Sequence, residues 1–218
     1  MSTLPSPVLT DRFSRAFEFA SVVHASQVRK GTSIPYLAHL IGVASVVLEH
    51  GADEDTAIAA LLHDAPEDQG GRAMLAQIKA RFGDRVEQIV EGCTDTFEAK
   101  KPPWRDRKIA YIQHLESADL ATCLVSTADK LHNARAILQD LRNLGPEVFQ
   151  RFSASQEQTG WYYESVGAAL HRRLAGTEAV ALANELRHAI GEIAAHKGGD
   201  RFRAGVSLAR EGAECPHR

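Results

Sequence analysis

The chain is poor in the features that would make its class obvious. Only three of its 218 residues are cysteine (Cys93, Cys123, Cys215), and none sit in a CxxC pair. That excludes a disulfide framework and suits a reducing compartment. There is no excess of positive charge: Lys+Arg number 25 against Asp+Glu 28, a net charge of -3. A general nucleic-acid or polyanion binder is therefore excluded, and any phosphate recognition must be local. No apolar run approaches the ~18 residues of a membrane helix. The first residues, Met1 to Pro7, have neither a basic start nor an apolar stretch, so no signal peptide is expected. The chain reads as a soluble cytoplasmic protein with no membrane or nucleic-acid partner. Alternating strand patterns and internal repeats are also missing.

What remains is helical periodicity. Phe17, Ala20, His24 and Val28 recur at helical spacing, and Gly31 stops the run. A second helix is expected from His39 to His50, closed by Gly51, and a third from Asp53 to His63-Asp64, where Pro66 breaks or restarts it. Short helices follow over 72–82 and 84–94, then a loop over 95–104, a helix to Leu115 and a long one over 119–144. After Pro146 the stripe Phe149, Phe152, Tyr163, Leu170 and Leu174 fits one long helix, in which Gly160 and Gly167 each cost about 1 kcal/mol relative to Ala. A last helix is expected over 178–195. The sequence thus reads as all-α, one domain over 8–195, with a loosely ordered tail over 196–218. It carries no reading of oligomeric state.

Several polar residues fall where a core is expected. His63-Asp64 ends the apolar segment Ala57-Ile-Ala-Ala-Leu-Leu, and a carboxylate there needs a partner unless Asp64 merely caps the turn at Pro66. Asp129 lies on a helical stripe between Val125 and Asn133; it is paired, bound to metal, or bonded to a neighbouring Asn or His. Lys130, about 100° away around the helix, is a poor partner. His39 opens the second helix and is either a cap or a ligand. Two imidazoles and two carboxylates suit an octahedral first-row ion with open positions, such as Mn²⁺ or Fe²⁺, and suit a closed zinc site poorly. His24 and His132 read as satisfied core histidines, and Tyr163 of Trp161-Tyr162-Tyr163 as core.

Three runs go further: Arg29-Lys30-Gly31-Thr32-x-x-Pro35-Tyr36-x-x-His39, Leu62-His63-Asp64-x-x-Glu67-Asp68, and Ala128-Asp129-Lys130-Leu131-His132-Asn133. In these, over roughly residues 13–175, the chain resembles the HD superfamily of metal-dependent phosphohydrolases. Within it, the likeness is to the RelA/SpoT-type hydrolase domain and its stand-alone small alarmone hydrolases, the metazoan SpoT homologues among them. The resemblance implies an all-α HD fold holding Mn²⁺, or Fe²⁺ or Co²⁺, through His39, His63, Asp64 and Asp129. It implies hydrolysis of a guanosine alarmone's 3′-pyrophosphate, releasing pyrophosphate and GDP or GTP. Glu67 and Asp68 match the acids that work on the water, Arg29 and Lys30 the basic pair at the nucleotide, and Asn133 a substrate-contacting amide.

The sequence departs from the family pattern at Leu40, at Ser126-Thr127 and in the basic stretch from Lys100 to Lys108. The last two leave an adenosine alarmone open as substrate. Other readings are hydrolysis of another phosphoester, such as the 2′-phosphate of NADPH, or a silent scaffold that binds a nucleotide and regulates a partner. The intact ligand set and Glu-Asp pair favour the enzyme.

Overall fold

The computed structural model describes residues 9–98, 100–196 and 198–213. Residues 1–8, Ala99, Lys197, and Cys215 with the rest of 214–218 lie outside the described residues. Among those described, the regular structure is helical, and the only pairing of extended chain is an isolated bridge between Val28 and Pro35. No described helix is long and apolar enough to cross a membrane. The chain divides into two compact units, Met1–Pro102 with Ala118–Val125, and Pro103–Ser117 with Ser126–Arg218.

The first unit contains α1 (Asp11–Val23), α2 (Leu37–Glu49), α3 (Glu54–Leu62), α4 (Ala65–Gln69), α5 (Gly71–Phe82) and α6 (Asp84–Cys93). It is built around α3, whose residues from Thr56 to Leu62 are all buried, with α1, α2, α5 and α6 packed on it. Each fully buried Ile or Leu there, such as Ile58 and Leu62, contributes roughly 1.5–3 kcal/mol. Asp53 caps α3 by accepting from the Thr56 amide (2.8 Å), as its position before the apolar run predicts. Arg12 then ties helix ends together, donating to Asp55 (2.7 Å) and to the Phe82 carbonyl (2.8 Å).

Here the expected first helix is corrected. It ends at Val23, and His24 and Val28 are not on its stripe. The chain instead folds back through Gly31 (φ 73°), a left-handed position that glycine adopts without strain. Hydrogen bonds from Arg29 N to Ile34 O (2.8 Å) and Tyr36 N to Gln27 O (2.9 Å) close the loop. Local pairing wins over continued helical periodicity at Val28.

The second unit contains α7 (Trp104–Leu115), most of α8 (Leu120–Leu144), a 3₁₀ turn (Gly145–Arg151), α9 (Gln156–Leu174), α10 (Val180–Ala195) and α11 (Asp200–Ala213). The expected helix from Phe149 starts seven residues later, because Ser155 and Gln158 form a capping box that sets its first turn.

The tail is also corrected: it carries α11, and Phe202 is fully buried against Phe149 and Tyr163. A β-carbon on Gly160 would stand 2.1 Å from the Phe202 carbonyl oxygen, and one on Gly205 would stand 1.9 Å from that of Glu157. The two glycines let the backbones of α9 and α11 meet. This close approach is the reason α9 carries a glycine that its helix propensity disfavours.

Candidate functional site

In the first unit the sequence-predicted residues lie close together. His39 on α2 and His63 at the end of α3 are both buried, their rings edge to face with centroids 5.4 Å apart. The Nδ1 of His63 lies 2.8 Å from the Ala60 carbonyl, an acceptor only, so Nδ1 carries a proton, and in a neutral ring the Nε2 lone pair turns the other way. One oxygen of Asp64 lies 3.1 Å from that Nε2 and 3.6 Å from Nε2 of His39. The same oxygen accepts the Tyr36 hydroxyl (2.6 Å), so Asp64 does more than cap a turn; it makes no side-chain cap bond to α4.

One turn further, α4 presents Glu67 and Asp68, with Pro66 in its first turn. Glu67 accepts from Lys101 (2.8 Å), and Asp68 accepts from Gln27 (2.8 Å). Protein packed around the Asp68 carboxylate pushes its pKa up, the charge of Asp64 adds to this, and the Gln27 bond works the other way. Burial works against the Lys101 ammonium, but its bond to Glu67 and the charges of Glu67, Asp68 and Asp64 outweigh this and raise its pKa. Both acids line a hollow of about 860 Å³ together with Arg72, Thr96 and Phe97.

Arg29 and Lys30 lie in the loop closed by the Val28–Pro35 bridge, well past the end of α1, so they are not a basic helix terminus answering a dipole. The Arg29 guanidinium stands 5.8 Å from the centre of the Tyr36 ring, and Lys30 is exposed.

The second unit holds Asp129 and Asn133. Asp129 is 7 % exposed and accepts from the Asn133 amide (2.6 Å) and from Lys130. The expectation that Lys130 is a poor partner is thereby corrected: its four-carbon stem folds back along α8 to the neighbouring carboxylate. Burial disfavours the Lys130 charge, but Asp129 outweighs that and raises the pKa well above the ordinary value. Ser126 and Thr127 are buried within α8, Ser126 bonded to the Tyr111 hydroxyl (2.8 Å), which places that departure from the family pattern in helix packing. A larger hollow of this unit, about 900 Å³ beside Trp161 and Leu208, contains none of the predicted site residues.

Tyr36 and Gln27 are the residues sequence reasoning missed. Tyr36 stood within a quoted motif with no role attached, and no periodicity or charge pattern marks Gln27. Lys101 was visible only as part of a basic stretch.

A family model described as the HD domain matches residues 16–159, well over half the chain. The chain belongs to the HD domain family. Among curated HD relatives, a guanosine-3′,5′-bis(diphosphate) 3′-pyrophosphohydrolase MESH1 of Xenopus tropicalis is 35 % identical over 79 % of this chain and 89 % of its own length. The guanosine-3′,5′-bis(diphosphate) 3′-pyrophosphohydrolase of Aquifex aeolicus is 35 % identical over 60 % of this chain, which matches only 18 % of that longer protein. A solved structure of a metazoan orthologue of SpoT that hydrolyses ppGpp superimposes with a TM-score of 0.65 at 26 % identity, over 88 % of this chain and 99 % of that one.

The HD fold implies a divalent metal, and the first unit's donors fit one. Two imidazole nitrogens face a shared carboxylate oxygen, one ring is held in the tautomer a ligand needs, and no cysteine takes part.

Proposed function

We propose that this protein hydrolyses the 3′-pyrophosphate of guanosine 3′,5′-bis(diphosphate), using Mn²⁺ held by His39, His63, Asp64 and Asp129. The observation that carries the reading is the arrangement in the first unit: both Nε2 atoms face Asp64, and Glu67 and Asp68 stand one turn on, open to a hollow. His39, His63 and Asp129 are each buried and each offers one ligand atom. The nitrogen and oxygen donors favour an octahedral ion with open positions over a closed zinc site. The names of the HD relatives supply the substrate class. Three cysteines with no CxxC pair fit work in the cytoplasm.

When bound, the ion supplies a water of lowered pKa and polarises the phosphoryl oxygen under attack. Glu67 accepts a proton from the attacking water. Asp68 orients the water or assists departure of the 3′ oxygen. The water oxygen bonds to phosphorus, the 3′ P–O bond breaks, pyrophosphate leaves, and the 3′ oxygen takes up a proton. Arg29 and Lys30, on their closed loop, bind the substrate's phosphates. Asn133 gives one amide hydrogen to Asp129 and has a further N–H and a carbonyl for the nucleotide.

The test is a panel of ppGpp, ppApp, NADPH and simple nucleoside monophosphates incubated with Mn²⁺-loaded protein, with products separated by chromatography. Intact pyrophosphate and GDP from ppGpp are expected. Orthophosphate from monophosphates with ppGpp untouched overturns the reading.

A further inference from the structure

Asp68 stands at the end of a hydrogen-bonded chain that the proposed reaction does not use. The chain starts at His24, which is 2 % exposed and stacked on the Tyr36 ring (centroids 5.4 Å apart, planes 23° apart). His24 Nδ1 lies 2.7 Å from Gln27 Oε1, and Gln69 Nε2 lies 2.8 Å from the same oxygen. On its other side, Gln27 Nε2 lies 2.8 Å from an oxygen of Asp68.

The polarity of this chain follows from the groups themselves. An ionised carboxylate only accepts, so the Gln27 amide nitrogen must face Asp68 and its carbonyl must face His24 and Gln69. Two donors on the carbonyl side hold the amide against flipping. His24 therefore carries its proton on Nδ1. Its Nε2 is then the unprotonated, accepting nitrogen, and it is buried with no hydrogen-bond partner.

A buried, ring-stacked histidine is a costly way to anchor a surface amide unless the amide's direction matters. Gln27 reaches across from the loop after α1 to α4, 41 residues later in the chain. It holds one Asp68 oxygen and leaves the other for the hollow.

Building on the function proposed above, we infer that Gln27, oriented by His24 and Gln69, is a positioning residue that sets the direction of the Asp68 carboxylate in the hydrolytic step. Gln27 is only half-buried, so its substitution leaves the core of the unit intact. His24 acts through Gln27, and Gln27 acts through Asp68.

The experiment is a double-mutant cycle on the full chain with ppGpp, combining Gln27→Leu and Asp68→Ala, with metal content and thermal midpoint measured on each variant. Gln27→Leu is expected to lower kcat by on the order of 10- to 100-fold, as a misplaced group does, with KM within about twofold and metal content unchanged. In the Asp68→Ala background the same substitution is expected to change kcat by less than about twofold. Equal losses in both backgrounds overturn the inference, as does an unchanged kcat in Gln27→Leu alone. A wild-type protein inactive on ppGpp overturns the functional reading instead. The crystal structure of Gln27→Leu then decides the positioning role: a turned Asp68 carboxylate supports it, and an unmoved one refutes it.

Discussion

Among the individual side chains, the sharpest expectations concern Asp129, Glu67 and the Arg29-Lys30 pair. Asp129 is a buried carboxylate flanked by Asn133 and Lys130, and its proposed role is as the fourth metal ligand. Asp129→Ala should lose both bound metal and activity; full metal occupancy by elemental analysis would show that Asp129 serves only its Asn–Lys pairing. Glu67→Ala should keep its metal and lose about 10²- to 10⁴-fold in kcat, the usual contribution of a general base. Wild-type turnover in that variant would reduce Glu67 to the partner of Lys101. Arg29→Ala and Lys30→Ala should raise KM more than they lower kcat, because phosphate contacts exist before and during bond breaking; steady-state kinetics on ppGpp separate the two. Asp129 was legible in the sequence because a carboxylate on an apolar stripe is chemically out of place, whereas Glu67, Arg29 and Lys30 were legible only through the family resemblance. The partners were not: Tyr36 on Asp64, Gln27 on Asp68 and Lys130 on Asp129 depend on where side chains reach, which spacing does not encode.

For the helices, the caps and the glycines make distinct claims. Asp119 precedes α8 and accepts from the Thr122 amide (2.7 Å) and from Arg85 (2.6 Å). Burial acts to raise its pKa, but the Thr122 and Arg85 bonds outweigh it and the net shift is downward. A depressed folded-state pKa stabilises the fold above the carboxyl's ordinary value and loses that stabilisation as pH falls through the folded value. Asp119→Ala should therefore cost about 1 kcal/mol at neutral pH, with the gap from wild type closing below about pH 4 in urea unfolding curves. Gly160→Ala separates local propensity from packing. Propensity alone favours alanine by about 1 kcal/mol, whereas the 2.1 Å approach of the Phe202 carbonyl oxygen calls for destabilisation by about 1–3 kcal/mol. Denaturant midpoints read the sign directly, and a stabilised variant would mean that α11 does not seat against α9 in solution. The end of α2 and the start of α3 were legible from Gly51 and Asp53, since caps are local chemistry. The end of α1 was not, because the loop through Gly31 is held by backbone bonds between residues that periodicity assigns to a helix.

At the level of the whole chain, the metal should be needed for turnover and should stabilise the folded state by mass action. Chelation is expected to abolish pyrophosphate release from ppGpp and lower the thermal midpoint, with Mn²⁺ restoring both. Undiminished hydrolysis in metal-free protein would remove the proposed role of the four ligands. The sequence by itself determined the helical class, the lack of any apolar run of membrane length, and the misplaced His-Asp pair. Those features follow from hydrophobic period, composition and chemically misplaced residues, all of which are local. Tertiary structure alone decided that α11 belongs to the packed second unit, where two glycines on separate helices admit each other's backbone and Phe202 fills the space between Phe149 and Tyr163. It also decided that Asp68 is held by Gln27 from a loop 41 residues earlier. Contacts of that kind join residues distant in sequence through short hydrogen bonds and close van der Waals approach, and they exist only once the helices have taken their places.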